Sequence, residues 1–440
     1  MGELIMLDVK KFFQATNPGN TLFINNPEED KKYYIDFSSV RGGQIIEDLK
    51  DKIAHPIFGS PDEPTCQLFT GHIGCGKSTE LLRLKADLEQ EGFHVVYFDS
   101  FEELELGDVD VSDILLAIAR RVSESLEESG ISLRSGYFKN LFAEIKDRFQ
   151  ISTNIEAKLS LGIAEITAET KASPRLREKL RGYIEPQTRE LIRGINKELL
   201  EPAIRKLKQQ HKKGLVTIVD NLEKVDSIAK PWGRSQHEYL FVDRAEQLRT
   251  LNCHLVYTMP LALRFSNDFD TLTQKFRADP KVLPMVPVKF ANGSECAEGI
   301  KQLRQMVLAR AFPDMDKKKR LEKITEIFDS PETLDCLCKY SGGHVRNLLR
   351  FVNDSIRKQR GLPISRQTLE EVIRAYRNER ILAVDDREWG LLSKVVKEKK
   401  VGGDEGYKTL IRSMFVYEYH YKDELWFDIN PILAEAKELK

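Results

Sequence analysis

The sequence predicts an α/β protein: a parallel sheet flanked by helices, interrupted by an inserted segment and followed by an all-helical region and a small C-terminal module. Two observations carry that expectation. Short apolar runs at 65–70, 93–98, 215–219 and 254–258 have the length and composition of strands buried on both faces. Amphipathic stretches with helical periodicity stand between them, notably 77–90, with Leu81, Leu82, Leu84 and Leu88 on one face, and 111–126. Strands alternating with helices is the pattern of a parallel sheet.

The remaining elements follow in chain order. Residues 32–37 read as a short strand, 44–54 as a helix, and Pro56, Pro61 and Pro64 as a loop. The interval before the strand at 215 is long. Within it Ile155, Ala157, Leu159, Leu161 and Ile163 alternate with Glu156, Lys158, Ser160 and Gly162, a period of two that predicts a half-buried strand or hairpin. Helical text runs over 175–210, with breaks expected near Pro186 and Pro202. The run 282–288 carries Pro284 and Pro287, which confines it to a sheet edge or a bulge. From 294 to 382 the text is helical. Two further helices (388–399 and 406–414), a hairpin turning at 421–424 and a short helix complete the chain. The expected organisation is an N-terminal segment (1–31), a core (32–293) with an insertion at about 137–213, a helical lid (294–382) and a C-terminal module (383–440).

Composition narrows the class. With 41% hydrophobic and 31% charged residues the chain is neither collagen-like nor low in complexity. No apolar run reaches the roughly 18–20 residues that span a bilayer, and the N-terminus has no basic flank or cleavable apolar core. The six cysteines are scattered, and Cys336-Leu-Cys338 has no second pair at zinc-site spacing, so reduced thiols and a cytoplasmic location are expected. The net charge of −1 hides an asymmetry: basic residues dominate 140–214, while the last sixty residues are slightly acidic.

The strongest chemical signal is Gly71-His-Ile-Gly-Cys-Gly-Lys77-Ser78, a complete G-x-x-x-x-G-K-[ST] pattern between a strand and a helix. Gly71, Gly74 and Gly76 let the backbone curl so that successive N–H groups, with those of Cys75, Ser78 and Thr79, face phosphate oxygens at a helix N-terminus. In such a loop Lys77 reaches the β- and γ-phosphates of ATP and the Ser78 hydroxyl ligates Mg²⁺. The second Mg²⁺ anchor should be a carboxylate at a strand tip, and Leu215-Val-Thr-Ile-Val-Asp220 supplies it, with Glu223 three residues on. The expected fold class is therefore a P-loop NTPase core with parallel sheet and inserted helical segment, followed by the all-α lid and the small C-terminal module.

Beyond about Tyr33, the insertion excepted, this order of motifs resembles the AAA+ and STAND ATPases, in particular their origin-recognition-like and NACHT-like branches. The AAA+ pattern places Glu directly after the Mg²⁺-binding Asp; here that position is Asn221. Asp220-Asn-Leu-Glu223 fits the STAND spacing instead, which makes Glu223 the candidate for activating water. The resemblance further implies Arg346, in Ser341-Gly-Gly-His-Val-Arg346, as the lid arginine on the γ-phosphate, and Thr258 as the polar residue on the neighbouring strand tip. It implies Arg277, with Arg264 as alternate, as an arginine offered to a neighbouring subunit, and 38–45 as the segment over adenine.

The last sixty residues resemble a winged helix, whose second helix offers Lys408 and Arg412 among Asp404 and Glu405, with Asp423 and Glu424 in the wing. So few cations favour a protein contact over DNA. A more credible basic surface is the insertion, through Arg175, Arg177, Lys179, Arg181, Arg205, Lys206, Lys208, Lys212 and Lys213. Taken together these readings predict a slow Mg²⁺-dependent ATPase, ATP- or ADP-bound, that switches homo-oligomer assembly or a protein partner, such as a separate effector chain, away from any membrane. The alternative is a DNA-handling ATPase of initiator or transposition-regulator type that oligomerises on duplex DNA; a weaker third is a chaperone-like remodeller.

Overall fold

All four apolar runs form strands in the computed structural model, which describes residues 7–24, 27–55, 63–133, 136–149 and 159–439. They are β1 (Cys66–Gly71), β2 (His94–Asp99), β3 (Leu215–Asp220) and β4 (His254–Thr258). With β5 (Lys281–Leu283) they make a five-stranded sheet in the order β2-β3-β4-β1-β5. The pairs β2–β3, β3–β4 and β4–β1 are parallel. Both β3 and β4 are buried along their whole length, which is why their sequences lack alternation. β5 is the end strand and stops at Leu283, where Pro284 removes a ladder donor, as the two prolines led us to expect.

The chain packs as two discontinuous units. One comprises Ile46–Thr70 and Arg83–Lys281; the other comprises Met1–Ile45, Gly71–Leu82 and Val282–Lys440. The first holds β2, β3, β4 and β1 as far as Thr70, and its core runs through the helix Val111–Glu128, whose start is fixed by a reciprocal capping box between Asp110 and Asp113. The inserted segment joins this same core as helices: Gly136–Phe149, Leu159–Ala172, Pro174–Ile184, Thr188–Gly194, a π-helical turn Ile195–Leu200, and Glu201–Gln209.

Three sequence expectations are corrected here. The period-two run is helical where it is described: Leu161 is exposed while Ile163 and Ile166, three apart, are buried where this helix packs on Val111–Glu128. Burial against that helix decides the matter, since among the described residues the alternating run has no neighbouring strand to pair with. Ile155, Glu156, Ala157 and Lys158 lie outside the described residues, as do Pro56 and Pro61. Residues 32–37 form no strand; the segment ends in an irregular stretch whose Ile35 and Phe37 are buried as anchors. Pro202 does not break the helical run, because it occupies the first turn of Glu201–Gln209, where a missing N–H is tolerated.

The second unit is mainly helical. Ala297–Ala311, Pro331–Ser341, Val345–Gln359 and Arg366–Ile381 form the lid region. The C-terminal module adds Asp386–Glu398, Glu405–Arg412 and the antiparallel hairpin β6 (Val416–Tyr421) and β7 (Glu424–Ile429) around Trp389, Leu392, Leu410 and Trp426. The turn between Pro331–Ser341 and Val345–Gln359 runs through Gly342 and Gly343, both at positive φ. A Cβ on Gly343 would stand 1.6 Å from the Val286 carbonyl oxygen. Gly343→Ala should therefore lower the stability of this unit by about 2–4 kcal/mol, from backbone strain and overpacking together. Thermal unfolding followed by circular dichroism tests this against Gly361→Ala, a site with nothing within 4 Å. Equal midpoints for the two variants would refute the steric argument.

Candidate functional site

The phosphate loop begins where β1 ends, and it packs against the lid and the C-terminal hairpin within one unit. Gly71, Gly74 and Gly76 all have positive φ, the conformations that curl the loop. Lys77 opens the helix Lys77–Gln90; its ammonium is buried and donates to the Gly71 carbonyl (2.9 Å) and the His72 carbonyl (3.0 Å). Cys75 is fully buried, while Ser78 and Thr79 are half-buried on the first helical turn.

Several residues that the sequence did not single out hold this loop in shape. Arg41 is buried; its Nη2 donates to the Cys75 carbonyl (2.6 Å) and its Nε to the Pro284 carbonyl (2.9 Å). Thus the 38–45 segment is fastened to the loop by a side chain. His344 caps the helix Val345–Gln359, its Nδ1 accepting from the Asn347 N–H (2.9 Å). That acceptor role puts the proton on Nε2, which lies 2.8 Å from the Ile73 carbonyl. The Arg346 N–H donates to the Gly74 carbonyl (3.3 Å). A side chain at Gly74 would collide with the His344 ring at 2.8 Å.

β6 approaches from the other side. The Glu418 N–H donates to His72 Nε2 (2.9 Å), so the second residue of the loop is an acceptor for the hairpin backbone. The Tyr417 ring lies edge-on to His72 and stacked on His344, with centroids 5.7 and 5.9 Å away. The Tyr419 hydroxyl donates to the Gly342 carbonyl (2.8 Å), and the Glu418 carbonyl accepts from the Met285 N–H (2.9 Å). The role of His72 is visible only in three dimensions.

The acidic residues belong to the other unit, at the carboxyl edge of the sheet, where register aligns Asp99 with Asp220 and Phe69 with Thr258. Asp220 is fully buried. Its Oδ2 accepts from the Tyr97 hydroxyl and its Oδ1 from the Asn221 N–H, both at 2.7 Å. Asn221 has φ 62°, a left-handed conformation that Asn tolerates far better than Glu, and its amide donates to Asp99 (2.6 Å). That turn carries the chain to Glu223, which is buried in the short turn Leu222–Lys224. Thr258 is fully buried, its hydroxyl accepting from the Leu222 N–H (2.9 Å) and so bracing the same turn. Tyr97 and Asp99 could have been found from the strand pattern of β2; Asn221 could be understood only from its φ.

Other expected residues stand apart. Arg277 is exposed and adopts φ 54° just past the helix Phe269–Phe276. Arg264 lies over the Phe265 ring. The basic insertion is less cationic at its surface than its sequence implies. Arg181 is bound to Asp108 and Asp113, Arg177 pairs with Asp108 (3.3 Å) and is buried, and Lys213 pairs with Glu91 (3.1 Å). In the C-terminal module Lys408 pairs with Glu405 (3.1 Å). Among the described residues no group of three or more His, Cys, Asp or Glu is poised to hold a metal. The available donors, a carboxylate and a hydroxyl, are hard oxygens suited to Mg²⁺, which keeps several waters and takes few protein ligands. None of the described helices is long and apolar enough to cross a membrane.

No family profile matches the chain, and no curated protein matches it in sequence. Solved structures of AAA+ ATPases are similar to it over nearly its whole length. The Aeropyrum pernix ORC2 protein, in ADPNP-ADP complexes, shares 11% identity at a TM-score of 0.39, covering 90% of this chain and 91% of that one. Cdc6p from Pyrobaculum aerophilum shares 12% at 0.38, covering 97% and 96%. A structure of Drosophila ORC bound to DNA shares 11% at 0.36, covering 98% and 94%. Likeness at this level assigns no activity or partner, and it does not reach the STAND branch.

The cradle has a pH signature. Burial pushes the His344 imidazole down to about 3, so it stays neutral in the fold while the unfolded residue protonates near its ordinary 6.5. Its contribution is therefore complete above about pH 6.5 and is lost progressively as pH falls towards 3, by up to about 1.4 kcal/mol per pH unit. His344→Asn, which keeps a side-chain acceptor at the cap, should unfold with a shallower pH dependence between pH 6.5 and 5. Parallel slopes for the two proteins in urea denaturation would show that His344 is not the group responsible.

Proposed function

We propose that this protein is a Mg²⁺-dependent ATP-binding and hydrolysing switch, in which the state of the phosphate loop is transmitted directly to the lid and the C-terminal hairpin. The observation that supports this reading is the packing of loop, lid turn and β6 as one unit, with hydrogen bonds accepted by loop residues His72, Ile73 and Gly74. On this reading Lys77 exchanges its two loop carbonyls for phosphate oxygens, so the loop, and whatever is hydrogen-bonded to it, responds to nucleotide. Ser78 and Asp220 would hold Mg²⁺, which when bound neutralises phosphate charge. Glu223, the acid displaced by the left-handed turn at Asn221, would accept a proton from the attacking water at its carboxylate. Arg346 would sense the γ-phosphate from the lid helix, and Arg277 would complete the site of a second copy in a homo-oligomer. A protein partner or separate effector would read the C-terminal module.

A second reading, a DNA-handling ATPase, is the one with which the similar structures side, one of them being bound to DNA. Arg175, Lys179 and Arg205 remain exposed in the insertion and are compatible with it.

Lys77→Ala should weaken ATP binding by a few kcal/mol, through loss of a desolvated charge-assisted contact, in calorimetric titration with Mg²⁺. Unchanged affinity in a folded variant would remove the phosphate-loop assignment. Glu223→Gln should keep binding and slow phosphate release at least tenfold, whereas Asp220→Asn should impair Mg²⁺-dependent binding itself; normal turnover in Glu223→Gln would end the water-activating role. If sites are shared between copies, ATPase activity per chain rises with protein concentration and Arg277→Ala flattens the rise. Activity independent of concentration would mean a self-contained site.

A further inference from the structure

The inserted segment, which the family resemblance does not cover, carries a concave groove of about 420 Å³ within the sheet unit. One wall is the helix Thr188–Gly194 and the π turn that continues it, presenting Arg189, Arg193 and Lys197; Asn196 lines the floor, and Gln247 and Thr250 the opposite side. Two hydrogen bonds fix the walls together: Asn196 Nδ2 donates to the Thr250 carbonyl (2.9 Å), and the Asn252 N–H donates to Asn196 Oδ1 (2.8 Å).

Many arginines of this unit are neutralised locally, whereas two that line the groove are not. Arg120, Arg177, Arg181, Arg234 and Arg244 each lie against a carboxylate. Among the described residues Arg189 and Arg193 have no ion-pair partner, although Glu246 lines the same groove, and Lys197 is held by Glu201 (2.8 Å). The three cations recur every four residues, about 6 Å of helix rise per step, or roughly two nucleotides of advance along one strand at about 3.4 Å each. Among the described residues no aromatic side chain lines the groove to stack a base. A π turn in a helix is also a recurrent feature of functional sites.

We propose that this groove binds the phosphodiester backbone of a nucleic acid, with Arg189 and Arg193 as the neutralising contacts. The inference rests on the second reading above and moves the contact surface from Arg177 and Arg181, which are occupied by acidic partners, to a different helix. Recognition is by backbone charge, so it is independent of base sequence.

The test is fluorescence anisotropy with a labelled duplex over a salt series, using the full chain. Wild type should bind at roughly 10⁻⁴–10⁻⁶ M near physiological salt. Arg189→Glu with Arg193→Glu should reduce affinity at least tenfold and lower the log–log salt slope by about 1.8, or about 0.9 per lost phosphate contact. Arg189→Lys with Arg193→Lys should retain the wild-type slope, and Lys317→Ala with Lys318→Ala, exposed cations outside the insertion, should leave it unchanged. If wild type binds duplex and the Glu pair binds equally well, the groove is wrong while the DNA-handling reading stands. If wild type does not bind, both fall. Weakened binding of inorganic pyrophosphate in the Glu pair, with duplex binding intact, would make the groove a small-anion site and overturn the proposal.

Discussion

The phosphate loop of this protein is held by neutral, buried histidines, and much of the second unit is arranged around that constraint. His72 accepts from the hairpin backbone at Glu418, while His344 caps a lid helix with one nitrogen and meets the loop carbonyl of Ile73 with the other. Each imidazole is used as a neutral polar bridge, and an unpaired polar group at such depth would cost about 1–3 kcal/mol. The close approaches at Gly74 and Gly343 follow from the same geometry, since neither site leaves room for a Cβ. The Tyr417 ring packs against both imidazoles and so excludes water from the bridges that fix the loop.

Such a loop is coupled to its surroundings by construction. On the proposed reading phosphate binding would draw Lys77 away from the loop carbonyls that are its acceptors, and the neighbouring loop residues are hydrogen-bonded to the lid and to β6. Close-packed interiors do not deform continuously, so a small displacement of the loop is transmitted as a choice between discrete packings. This gives the proposed switch a physical element at which nucleotide would act.

The acidic unit shows a comparable economy. β3 ends in a left-handed residue, and the Thr258 hydroxyl from the next strand fixes the following peptide. A glutamate directly after Asp220 would have to adopt that strained conformation. The turn supplies Asn there and delivers the next carboxylate, Glu223, two residues later. The displacement of the acid is thus a backbone consequence as much as a chemical choice.

What the sequence determined by itself was local. The four buried strands, the helix Lys77–Gln90, the glycine loop, the hairpin with its turn near Tyr421 and the acid at the tip of β3 were all legible. Each depends on residue type at short spacing: apolar runs, helical periodicity, glycines at positive φ, a carboxylate ending a strand. Tertiary structure decided the rest. The inserted run with alternating residues became a helix because Ile163 and Ile166 bury against Val111–Glu128. Arg177 and Arg181 became internal ion pairs because the fold brings Asp108 and Asp113 to them across roughly seventy residues of chain. His72, His344, Tyr417 and Arg41 acquire their roles only where segments separated by tens to hundreds of residues meet. No local pattern encodes such contacts, because burial and hydrogen-bond complementarity between distant segments are settled only once the chain has packed.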